Sequence, residues 1–264
     1  METILQGEGL EKGCNQLLEM MGNAAAVTDR SFAVPDGVNN GQYGAGIVID
    51  FFGLAGKYSG FPVDFVYPSM TSVVPANIAL IAGGKNPDEA KKFMAFSMST
   101  EGQQLLFDPK ISRLPILPYS QLKAPPGYPD PQEVAKRAKV QFDANLSEAR
   151  YQVVTSLFDQ MVTFRLKELQ GATKAIQDAE KALKAKPNAR GSDLVKQARA
   201  LAYTPLVGAE NVKNEQFLEL FRKSRRDVEV SKQLSGQEQL WANKARENYA
   251  RAQQLATEAR GLAK

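Results

Sequence analysis

Asp50 stands where a charge needs a reason. It closes the apolar run Ile47-Val48-Ile49, and two aromatic rings, Phe51 and Phe52, follow it directly. A continuous apolar run reads as a strand covered on both faces. A carboxylate at the end of such a strand needs a partner, because burying an unpaired charge costs several kcal/mol, roughly. In α/β proteins ligands collect at the carboxyl ends of these strands. Asp50, Phe51 and Phe52 are therefore a candidate wall of a binding site; a strand end packed beneath a loop is the alternative. Upstream, Thr28-Asp29-Arg30-Ser31-Phe32 is a polar loop that carries an arginine, hydroxyls and an aromatic ring.

Other chemistries are excluded by composition. The chain has no histidine, which removes imidazole acid–base catalysis, His-containing triads and imidazole metal sites together. A single cysteine, Cys14, leaves no internal disulfide and no Cys-pair metal motif. There is no Gly-Lys-Ser/Thr phosphate loop and no paired-carboxylate motif. No catalytic residue, metal or cofactor is therefore expected, and the chain does not read as an enzyme. Formal charge is uneven: residues 1–127 carry 9 Lys+Arg against 12 Asp+Glu, and residues 128–264 carry 24 against 17. The basic half interleaves its charges along helices, which is the pattern of a solvated face, and nucleic acid is not an expected partner. With 43% hydrophobic and 23% charged residues over 264 positions, a sizeable core is affordable in one or two domains. No run of about 18 apolar residues marks a transmembrane helix, and the first residues lack a signal-peptide pattern.

The elements that must position these residues follow from periodicity and punctuation. Glu2–Met21 reads as one helix closed at Gly22-Asn23. Ala24–Val27 reads as a short strand, Val34–Gly37 as a turn, and Val63–Tyr67 and Val73–Ile81 as further strands. Asn86-Pro87-Asp88-Glu89 is a helix start: a capping residue, a first-turn proline and acids suited to the helix dipole. That helix, Pro87–Met98, is expected to bury Ala90, Phe93, Met94 and Ser97. Ser99 or Thr100 caps a short helix to Phe107, with Gln103 completing a capping box. Leu114–Pro118 must run extended, since each proline disfavours helix before it. From Asp130 onward helix formers dominate. Val153, Leu157, Met161 and Phe164 mark a long helix to about Lys184, with further helices over Asp193–Ala202 and Asn211–Gln233. In a last helix, after Ser235-Gly236, Trp241, Ala245, Asn248, Ala252, Leu255, Ala259 and Leu262 share a stripe. The expected domains are 1–127, α/β, and 128–264, an all-α C-terminal extension.

The succession Ala79-Leu80-Ile81, Asn86-Pro87-Asp88-Glu89-Ala90-Lys91-Lys92-Phe93, Ser99-Thr100-Glu101-Gly102-Gln103 and Arg113-Leu114-Pro115 resembles the extracellular solute-binding proteins of ABC importers. The resembling branch includes ferric-ion, phosphonate and phosphoglycerate binders, and Gly41–Phe52 is similar to its ligand-delivering strand. The likeness covers about Gly9–Pro118. It implies a type II periplasmic-binding-protein-like fold, closure about a hinge and a periplasmic location. It also implies that the chain is the later part of a longer protein, lacking most of the first lobe. Where the ferric-ion branch has a tyrosine pair this chain has Phe51-Phe52, which offer no lone pair to Fe3+. That shifts the expected ligand to a small anionic solute, phosphorylated or phosphonate. Arg30 could grip it bidentately, with Ser31 donating and Phe32, Phe51 and Phe52 shielding the contact. Asp50 could pair with an amine of the solute or with Arg30.

Two classes of function follow. One is a binding module: the solute-binding component of an ABC importer that meets a permease, or a sensor presenting a phosphoglycerate-type ligand to a membrane sensor kinase. The other is a non-catalytic helical interaction or scaffold protein.

Overall fold

The computed structural model describes residues 1–223 and 225–263. Its α-helices in chain order are α1 (Glu2–Glu8), α2 (Leu10–Gly22), α3 (Ala33–Asn39), α4 (Asp50–Tyr58), α5 (Pro87–Ser97), α6 (Thr100–Gln104), α7 (Pro131–Arg137), α8 (Ala144–Met161), α9 (Leu166–Ala185), α10 (Ala189–Tyr203), α11 (Glu215–Arg222) and α12 (Val228–Gly261). Together with four three-residue 3-10 turns, these helices take up 63% of the chain, and no strand occurs among the described residues. This overturns the expected α/β, type II periplasmic-binding-protein-like fold. The physical reason lies in the runs that read as strands. Ile47 and Ile49 are extended but 70% and 60% exposed, and Ile81 is 81% exposed. A strand needs a neighbour for its hydrogen-bond ladder and cover for its faces. Within residues 28–142 the apolar runs find neither, so they stay irregular.

The chain groups into two compact units, Met1–Val27 with Asp143–Lys264, and Thr28–Phe142. The first residues thus belong with the C-terminal helices, whereas the sequence pattern divides the chain at 127/128.

The first unit is a helical bundle. Glu2–Met21 is two helices, broken at Gly9, whose φ of 83° lies in the left-handed region that glycine tolerates. The long helix expected through Phe164 also breaks: α8 ends at Met161, Thr163 turns its hydroxyl to Asp159 Oδ1 at 2.9 Å, and α9 restarts at Leu166. Val153, Leu157 and Met161 are buried as their spacing requires, but Phe164 is 60% exposed. The third helix splits into α11 and the start of α12, and Ser235-Gly236 lies inside α12 rather than before it. The terminal stripe is buried at Trp241, Ala245, Ala252, Leu255 and Ala259. It packs in one core with Leu169, Ala172, Ile176 and Ala179 of α9 and Ala198, Ala202 and Tyr203 of α10. Alanines let these helix axes approach closely, and the large side chains between them each contribute about 1.5–3 kcal/mol by burial. Tyr249 completes the corner by donating to the Met161 carbonyl at 2.8 Å.

The second unit holds α3–α7 around a small core of Leu54, Phe107 and Tyr128, with Tyr58, Phe65, Leu114 and Tyr119 packed against it. The expected turn at Val34–Gly37 is part of α3, where Pro35 falls in the first turn and its missing N–H costs nothing. Helix α5 starts at Pro87 as expected but buries no residue, and Phe93 is 62% exposed.

Candidate functional site

Asp50, Phe51 and Phe52 do not end a strand. They form the first turn of α4, entered from Ile49 in an extended conformation. Asp50 Oδ1 accepts the Phe51 backbone N–H at 2.8 Å, and Oδ2 accepts the Tyr67 hydroxyl at 3.0 Å. The partner demanded by the half-buried carboxylate is thus a tyrosine, not Arg30. Gly53 makes this geometry possible. A Cβ there would run into the Phe65 ring, which lies against α4 and packs edge-on to Tyr67 with centroids 4.9 Å apart. Burial, then the neighbouring Asp50 charge, push the Tyr67 phenol well above its ordinary value.

Three of the sequence-predicted rings meet. Phe52 lies 4.3 Å from Phe51 and 5.4 Å from Phe32, the latter edge-on. This joins the polar loop to the α4 turn and leaves Phe32 63% exposed. Ser31 is exposed in the same loop. Arg30 precedes Phe32 by two residues and is exposed. Its carbonyl accepts from the Thr28 hydroxyl at 3.1 Å, and its guanidinium makes no ion pair among the described residues. Arg30 and Asp50 are therefore not bonded to each other.

One residue at this face belongs to the Arg113-Leu114-Pro115 part of the family likeness but is not among the sequence-predicted ligand residues. The Arg113 guanidinium carbon lies 3.1 Å from the Phe51 centroid. The segment carrying it is fixed by the glutamines of the Ser-Thr-Glu-Gly-Gln-Gln run. Ser99 caps α6 by accepting Gly102 N–H at 3.1 Å. Gln103 does not complete a capping box. Its amide instead donates to Ser97 O at 2.7 Å and accepts Ile116 N–H at 2.8 Å, and Gln104 bonds both polar backbone groups of Lys123. Gln103 thereby ties the extended Leu114–Pro118 crossing at Ile116, and Gln104 ties the segment after it at Lys123.

Among the described residues no group of three or more His, Cys, Asp or Glu gathers as a metal site. No described helix is long and apolar enough to cross a membrane. Of the groups at this face the two guanidiniums, Arg113 over the Phe51 ring and the exposed Arg30, have the chemistry that suits an oxyanion, whereas the Asp50 carboxylate opposes one and is taken up by Phe51 N–H and Tyr67.

Comparison with known proteins finds two curated relatives. The chain is 31% identical over 185 residues to the phosphoglycerate transport regulatory protein PgtC of Salmonella typhimurium strain LT2. The match covers 70% of this chain and 45% of PgtC. PgtC of Salmonella typhi matches with the same figures. The chain is homologous to PgtC. It spans less than half the length of these curated relatives. No family model matches the chain, and no solved structure matches it.

Proposed function

We propose that this protein takes part in regulating phosphoglycerate transport, as a sensor that binds a small phosphorylated anion and reports its presence to a membrane-associated partner. The PgtC relatives are phosphoglycerate transport regulatory proteins, which supports regulation and favours this reading over that of an importer's solute-binding component. The observation that carries ligand binding is the meeting of Phe32 with Phe52, itself packed on Phe51, which brings the Arg30 loop against the Asp50 turn. On this reading Arg30 and Ser31 contact the phosphate, the rings exclude water from it, and Asp50 orients the solute's hydroxyl or amine. A periplasmic location belongs to the same reading.

Calorimetric titration of the full chain with D-3-phosphoglycerate, 2-aminoethylphosphonate and inorganic phosphate tests it. Binding of phosphoglycerate is expected, and Arg30→Ala is expected to weaken it by at least roughly 1.5 kcal/mol, the lower end for a charged hydrogen bond. No heat with any of the three ligands overturns the reading, and an unchanged affinity in Arg30→Ala removes that residue from the site.

A further inference from the structure

Arg113 is exposed, yet nearly every group around it is fixed. Ser112 immediately before it is fully buried and adopts φ 48°, the single non-glycine positive φ among the described residues. That conformation costs an L-residue about 1–2 kcal/mol, so the surroundings must enforce it. They do so through the Asp108 turn, whose carbonyl accepts Ser112 N–H at 2.8 Å, and through the Ser112 hydroxyl bonded to Pro109 O at 2.9 Å. Pro115, two residues after Arg113, is also fully buried. The Arg113 N–H donates to Leu106 O at 2.9 Å, and its carbonyl accepts the Tyr128 hydroxyl at 3.3 Å. The backbone is thus held from both sides while the side chain is sent outward onto Phe51.

The guanidinium has no carboxylate within ion-pair distance among the described residues. Its charge is met by the face of a phenyl ring. The guanidinium carbon sits over the ring, and none of its N–H donors is hydrogen-bonded to a described residue, which leaves them to take two oxygens side by side. A surface arginine serving only solubility needs neither a strained neighbour nor a platform.

We propose that Arg113 holds an oxyanion of the solute, with Phe51 as the platform that pre-orients it. This rests on the sensor reading above and adds a second anion contact to it. Phosphate and carboxylate can each present two oxygens side by side to a guanidinium fork. A solute bearing both groups, such as phosphoglycerate, could span Arg113 and Arg30.

Calorimetry on the full chain tests this with D-3-phosphoglycerate, glycerol 3-phosphate and D-glycerate as probes. For wild type, D-3-phosphoglycerate is expected to bind more tightly than either single-anion probe. Arg113→Gln is expected to lose at least tenfold in affinity, Phe51→Leu to fall between the two, and Arg113→Lys to recover only part, since it keeps the charge without the planar fork. If Arg113→Gln weakens the phosphate probe but leaves D-glycerate unchanged, the group held is phosphate; the reverse assigns carboxylate. Circular dichroism melts of each variant separate loss of contact from loss of fold, and should Arg113→Gln melt early, the Arg113→Lys and Phe51→Leu titrations decide. Wild-type binding with unchanged affinity in the Arg113 variants overturns the role of Arg113 and leaves the sensor reading standing. Absence of wild-type binding to all three probes overturns both.

Discussion

Arg150 grips Glu2 through three hydrogen bonds, Nε to both carboxylate oxygens at 3.0 and 3.3 Å and Nη2 to Oε2 at 2.9 Å. The two side chains are only 7% and 13% exposed. Beside them Gln6 exchanges two further bonds with the Asp143 backbone, at 3.0 and 2.7 Å. Together they fasten α1 to the start of α8, and α2 packs on α9 and α10 through Leu18, Gly22 against Thr173 and the Glu19–Arg199 pair, so the first residues group with the C-terminal helices. Removing one partner of a buried pair strands the other charge, which costs roughly 3–5 kcal/mol, whereas replacing both with apolar residues of similar volume is close to neutral. Glu2→Ala is therefore expected to lower stability by roughly 3 kcal/mol in urea melts, and Glu2→Leu with Arg150→Met by much less. Equal losses in the single and double variants would show that the contact surface, not the charge balance, holds α1.

Gly22 lies at the end of α2 directly against Thr173 of α9, and a Cβ there would overlap the Thr173 side chain. Thr173 is buried and accepts the Tyr203 hydroxyl at 3.1 Å, so it has little room to yield. Helix propensity alone favours alanine over glycine by about 1 kcal/mol. Overpacking costs about 1–3 kcal/mol and should win. Gly22→Ala is expected to lower the melting temperature, and a raised melting temperature would mean that α2 moves away from α9 without penalty.

These cases show why the helices were legible and the rest was not. The α12 stripe at Trp241, Ala245, Ala252, Leu255 and Ala259 repeats at a local period, and the bundle covers it as that period requires. Ile47-Val48-Ile49 has the composition of a buried strand, but strand formation depends on a remote partner that no local pattern supplies. The breaks at Gly9 and after Met161 leave no mark in the pattern, because helical periodicity carries across a single interruption. Around the candidate site, the need of Asp50 for a partner was readable from burial alone. That the partner is Tyr67, and that Arg113 lies on Phe51, are contacts between distant segments set by Gly53 and the Gln103 and Gln104 bonds.

Tyr58 presents a different balance. Its hydroxyl is buried without a hydrogen-bond partner among the described residues, while its ring packs on Tyr128 with centroids 4.7 Å apart. An unpaired buried hydroxyl costs free energy that a hydrogen does not. Tyr58→Phe keeps the ring and removes the oxygen, so it is expected to leave stability unchanged or raise it by about 1 kcal/mol. Urea melts compare the two, and a clear loss would mean that the hydroxyl finds a bridging water.

The second unit should weaken in alkali. Burial comes first among the causes that raise the phenols of Tyr67, Tyr119 and Tyr128, the last to about 12. Nearby carboxylates add to it: Asp50 beside Tyr67 and Tyr128, and Asp130 beside Tyr119. In the unfolded chain a tyrosine ionises near its ordinary value of about 10. Between that value and the raised folded one, the unfolded state has released protons that the folded state retains. The contribution is complete below about pH 10 and is lost as pH rises through the folded values, with a limiting slope of about 1.4 kcal/mol per pH unit for each tyrosine. Tyr67→Phe separates this from the structural bond. At pH 7 it leaves Asp50 Oδ2 without its donor and is expected to cost about 1–2 kcal/mol. Between pH 10 and 12 it should flatten the decline, because one raised phenol is gone. Urea melts at pH 7, 10 and 11 measure both effects, and a variant with wild-type slope in alkali would mean that the Tyr67 phenol ionises freely despite Asp50.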